Sequence, residues 1–93
     1  MLDAAYPPRL VTPVLTGREI GRSVLDQWPR GTPVFLRLRV DAQGYVSECD
    51  VTRGTGVAAI DGIMCNLAHE RLRFRPAMSR TGQPVAAWFG YAQ

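Results

Sequence analysis

Cys49, Cys65 and His69 are the side chains of this sequence best suited to redox, metal or acid–base chemistry, and their spacing limits what they can do. Two cysteines this far apart, with a single histidine, fall short of a zinc ligand set, and neither cysteine lies in a C-x-x-C pair. One disulfide or two buried thiols remain as the alternatives. His69 stands beside Glu70 on an expected helix, an arrangement more common in helix-end packing than in proton transfer. The aspartates and glutamates are scattered through loops, strands and helix, with no spacing that pairs an acid with a base. No nucleophile elbow, phosphate loop, H-E-x-x-H or dinucleotide fingerprint is present. The expectation is a domain that is not an enzyme and uses no cofactor and no metal.

Charge narrows the field further. The net charge is +3, and all eleven basic residues are arginines. A surplus this small reads as a solvated surface rather than a nucleic-acid footprint, although Arg37, Arg39, Arg53, Arg71, Arg73 and Arg75 are the residues that would serve one. The chain has 93 residues, 46% of them hydrophobic and 20% charged, which describes one globular domain. No apolar run is long enough for a membrane span and the start lacks a signal pattern, so a soluble domain is expected.

The elements that must position these residues follow from hydrophobic period. Residues 1–16 carry three prolines and no helical repeat, and read as an extended lead-in to a domain over 17–93. Ile20, Val24, Leu25 and Trp28 form one stripe of a helix over about 18–28, weakened by Gly21 and ended by Pro29. From residue 33 the period becomes two. Val34, Leu36, Leu38 and Val40 face one way, and Phe35, Arg37 and Arg39 the other.

Asp41 to Gly44 is a turn, and residues 45–53 return as the second strand of a hairpin. The inward set Val46, Cys49, Val51 breaks alternation, which predicts a bulge near Ser47 or Glu48. After the breaker at 54–56, Ile60, Ile63, Met64 and Leu67 mark a second helix, with Leu72 at its end. Arg71 and Arg73 complement the carbonyl end of that helix; in "RFRPA", residues 73–77, Arg73 and Arg75 flank Phe74, which drops into the core, and Pro76 forbids continuation. Residues 77–83 read as a loop and 84–92 as a last strand.

The cheapest assembly is α+β: a two-layer sandwich of a three-stranded antiparallel sheet with two helices on one face, in the order α-β-β-α-β. In that assembly the second helix crosses back over the strand carrying Cys49, which favours a bond to Cys65. The last strand is expected at an edge. Val85, Ala87, Phe89 and Tyr91 would share one face, with Ala86, Trp88 and Gly90 on the other. The stretch lacks charge, so nothing blocks pairing, and Val85, Ala86, Ala87, Trp88, Phe89, Gly90 and Tyr91 are the candidate partner-binding residues.

These motifs, taken in order, resemble the C-terminal domain of TonB-type energy transducers. The residues that carry the resemblance are Val40, Asp41, Gly44, Val46, Thr55, Gly56, Ile60, Asp61, Phe74, Pro76, Ala77, Gly82, Pro84 and Val85, spread over residues 31–93. Ile20-Gly21 stands where the family usually has Tyr-Pro, Pro33 looks inserted, and Gly54-Thr55-Gly56 replaces a Ser-Ser-Gly turn. The resemblance implies a periplasmic domain of a protein anchored in the inner membrane of Gram-negative bacteria. Its partners would be the N-terminal box peptide of outer-membrane TonB-dependent transporters and, for the full-length protein, an inner-membrane proton-channel complex. A homodimer through the same edge is the other partner considered, and a small envelope assembly module the alternative function. A periplasmic setting also favours the Cys49–Cys65 disulfide.

Overall fold

The computed structural model describes residues 4–93; the first three residues of the expected lead-in lie outside the described residues. The inward alternation of Val34, Leu36, Leu38 and Val40 organises the fold, and all four are buried. They lie on or beside β2 (Phe35–Val40), which pairs antiparallel with β3 (Val46–Arg53) on one side and β7 (Ala87–Ala92) on the other. The domain is therefore α+β with a three-stranded antiparallel sheet in the order β3-β2-β7.

The expected bulge is at Ser47: Arg39 faces Glu48 while Val40 faces Val46. A second falls at Thr52, between the Phe35–Arg53 and Leu36–Val51 pairs. At each, a hydroxyl of the extra residue donates to a β2 carbonyl, Ser47 to Arg39 at 3.2 Å and Thr52 to Phe35 at 3.1 Å.

Helix α3 (Ala58–Arg71) lays Ile60, Met64 and Ala68 on the inward face of the sheet. Ile63 and Leu67, expected on the buried stripe, are half-buried, because the helix sits rotated to bring small Ala68 against the strands. Asp61 ties down the preceding turn by accepting from the backbone N–H and the hydroxyl of Thr55, both at 2.9 Å.

The first helix departs from expectation. It is two pieces, α1 (Gly17–Ile20) and α2 (Arg22–Gln27), divided at Gly21, whose φ of 97° no helix accommodates. A capping box between Thr16 and Glu19 starts α1. The break keeps Ile20 in the core with Val24 and Trp28 packed against it, but turns Leu25 out to solvent, so the expected stripe loses that one member. Ile20, Met64 and Ala68 share one core with Leu36, Leu38 and Val40, which places the helical layer on one face of the sheet.

The second departure lies in 77–85. In place of a loop and one long strand there is a short ribbon: β5 (Ala77–Met78) pairs with β6 (Pro84–Val85) through a turn at Ser79–Gln83. The lead-in is extended and joins the same region. Its β1 (Arg9–Leu10) pairs with β4 (Phe74–Arg75), Tyr6 bridges Met78, and Leu15 is buried in the core.

At "RFRPA" the guanidinium of Arg73 folds back onto the end of α3. It donates to the carbonyls of Leu72 (2.8 Å), Glu70 (3.1 Å) and His69 (3.3 Å), and so occupies acceptors that a helix end leaves unpaired. Phe74 is buried and meets Phe89 edge-to-face with ring centroids 4.8 Å apart.

Candidate functional site

A three-stranded sheet in the order β3-β2-β7 has two outer edges, and they differ. The β3 edge is interrupted by the two bulges and carries Glu48, Asp50 and Arg53, devices that discourage pairing with another chain. The β7 edge has neither: its register with β2 runs unbroken from Phe35–Ala92 to Val40–Ala87, and Ala87–Ala92 contains no charge.

The phase of β7 follows from one pair. Val34 and Gln93 exchange both backbone hydrogen bonds, at 2.9 and 3.2 Å. Hydrogen-bonded and non-hydrogen-bonded pairs alternate along an antiparallel ladder. Tyr91, Phe89 and Ala87 therefore spend their backbone groups on β2. Trp88, Gly90 and Ala92 point theirs the other way, toward the open edge.

The structure shortens the candidate row. Val85 is paired with Ala77 in the small ribbon, and Ala86 lies between the two strands, so neither continues the open edge. The continuous row is Ala87–Ala92 and includes Ala92, which the sequence reading left out. Pro84, which has no N–H, and the Gly82 turn in front of it were the signals for a hairpin here.

The two faces of the row are chemically distinct. Inward, Phe89 packs on Phe74, and Tyr91 is buried with its hydroxyl accepting from the Leu15 N–H at 2.9 Å and donating to the Gln93 side chain. Gln93 Nε2 donates to the Leu15 carbonyl at 3.0 Å, so the end of the lead-in is clasped by the end of β7. Burial pushes the Tyr91 hydroxyl above its ordinary pKa of 10.0; the Leu15 bond opposes this and the charge of Glu19 adds to it.

Outward, Trp88 covers the helix-free face of the sheet. The Arg37 guanidinium lies 4.4 Å from its ring centroid and that of Arg39 5.6 Å. Arg37 also meets Asp50 at 3.1 Å, an exposed pair worth about 0–1 kcal/mol. Beside this stack an apolar groove of about 510 Å³ opens over Gly90, lined by Phe35, Arg37, Thr52 and Ala92.

The residues with chemical potential are placed apart from this edge. Cys49 and Cys65 are joined in a disulfide, with Cα atoms 5.7 Å apart, that ties β3 to α3. His69 donates from Nδ1 to the Val46 carbonyl at 2.8 Å and so fastens α3 to the hairpin. Among the described residues no group of three His, Cys, Asp or Glu side chains is disposed to hold a metal ion, and no helix is long and apolar enough to cross a membrane. Comparison with protein-family models, with curated proteins and with solved structures finds no match.

Proposed function

We propose that this chain is a peptide-binding domain that takes up an extended segment as a further strand along the outer edge of β7. The observation that carries this reading is the row Ala87–Ala92, uncharged and unbulged, with main-chain groups turned outward at Trp88, Gly90 and Ala92. A strand added there gains paired main-chain bonds, and a pull along it loads those bonds together in shear. That suits a contact that transmits force and needs no reacting group.

The resemblance to TonB-type transducers names the parts. The segment is the N-terminal box of an outer-membrane transporter, the compartment is the periplasm, and an inner-membrane proton-channel complex drives the longer protein to which the domain belongs. Two features support it. The helices and the strands of the main sheet follow one another as α-β-β-α-β once α1 and α2 count as one broken helix and the two-residue strands β1, β4, β5 and β6 are set aside, and a disulfide fits an oxidising compartment. Titration with a transporter box peptide, followed by backbone amide shifts, tests the reading. Shifts concentrated on residues 87–92 are expected; a bound peptide that leaves them unmoved defeats it.

A second reading is self-association through the same edge, as in an envelope assembly module. Trp88 and Gly90 lie two apart on one face. A two-fold antiparallel pairing of β7 with its copy, centred on Phe89, sets each Trp88 opposite the other copy's Gly90. Sedimentation as a monomer at every concentration excludes it.

A further inference from the structure

Gly90 has none of the usual internal reasons to be glycine. Its φ lies outside the left-handed region, where Gly21, Gly31, Gly44, Gly56 and Gly82 are found. Its strand has no bulge, and a Cβ built on it meets nothing within 4 Å. Glycine inside a strand weakens it and otherwise marks a close approach from outside. Here the space belongs to the apolar groove bounded by Phe35, Arg37, Thr52 and Ala92, which crosses the sheet face onto the edge strand β7.

We infer that Gly90 selects the partner: the strand added to β7 carries an aromatic side chain at the position directly opposite Gly90. This rests on strand addition and adds its specificity. A visiting residue opposite Gly90 in an antiparallel ladder has its side chain on the helix-free face, since Gly90 shares that face with Trp88. A ring there lies over the glycine and enters the groove that Phe35, itself 37% exposed, also lines. Aromatic cover of a strand glycine is a recognised stabilising pair. A small side chain leaves the groove wet, and a carboxylate buries its charge against the apolar rim while Arg37 is engaged by Asp50 and Trp88.

The test uses the full chain and a probe peptide of alternating threonine and valine, with a lysine at each end and phenylalanine or alanine at its centre. The phenylalanine peptide is expected to bind about ten-fold more tightly. Gly90→Val, which occupies the space over residue 90 and suits a strand, is expected to bring the two affinities together. Amide shifts at Trp88, Gly90 and Ala92 report strand addition separately. Equal affinities for the wild-type chain, with those shifts present, overturn the selection by Gly90 and leave strand addition standing. No shift with either peptide overturns both.

Discussion

The backbone N–H of Phe74 donates to the carbonyl of Gly44 at 2.9 Å, and the Phe74 carbonyl oxygen stands where a side chain on residue 44 would begin. The tip of the β2–β3 hairpin and the exit of α3 are thus one joint. Gly44 also has φ of +88°, so it is glycine for two independent reasons.

Gly44→Ala is expected to destabilise the domain by about 2–4 kcal/mol, from left-handed strain and displacement of the Phe74 backbone. Gly56, also at positive φ but with open space at its Cβ position, provides the control. Gly56→Ala carries the conformational term alone and should cost about 1 kcal/mol. Denaturant midpoints measure both. Equal losses at the two sites would mean that contact with Phe74 adds nothing.

The Cys49–Cys65 bond closes a loop over a sequence separation of 16 residues. In the chain-entropy account a loop of that length contributes about 3 kcal/mol, a large share of what a domain this small has to spare. Replacing both cysteines by alanine should lower stability by that order, and reductant should then have no further effect. A double variant as stable as the oxidised wild type would show that the bond is idle.

What could be read in advance follows from how local its cause is. The alternation of Val34, Leu36, Leu38 and Val40, the Asp41–Gly44 turn and the irregularity at Ser47 are all inscribed within a few neighbouring residues, and each stands where it was expected. The pairing of Arg9 with Arg75 and the bond from the Arg73 N–H to Thr12 Oγ1 join residues more than sixty positions apart. Two-residue strands have no period to detect, so 77–83 reads as loop and Pro84–Val85 as the start of the last strand. Gly21 was visible as a weakness, but only its backbone angle turns a weakness into a break. At the candidate site the uncharged composition was legible; which residues turn their main chain outward was not, because the Val34–Gln93 pair sets that phase across the sheet.

Tyr91 makes stability depend on pH in the alkaline range. Its hydroxyl is held above 10.0 by burial first, with the Glu19 charge adding and the Leu15 N–H bond opposing. A raised acid pKa means that the folded state holds the proton more tightly than the unfolded chain. The contribution is full below pH 10 and is lost as pH rises through the folded value. Tyr91→Phe should lose about 1–2 kcal/mol near neutrality, because the Leu15 N–H and the Gln93 side chain lose their partner. The gap between wild type and variant should then narrow above pH 10. A gap that stays constant, measured by denaturation across that range, removes Tyr91 as the titrating group.

The phase of β7 predicts opposite outcomes for proline at adjacent positions. Phe89 faces Leu38 in a hydrogen-bonded pair, and its ring packs on Phe74. Phe89→Pro deletes a ladder bond and a core side chain together, and should prevent stable folding. The Gly90 N–H points to the open edge and serves no bond to β2, so Gly90→Pro should leave a folded domain with its disulfide formed. It removes one of the outward donors that a visiting strand needs and places a ring in its path. Peptide affinity should fall at least about ten-fold while the denaturation midpoint moves little. A folded Gly90→Pro variant that binds as the wild type does would mean that the partner does not use this edge, whatever else it touches.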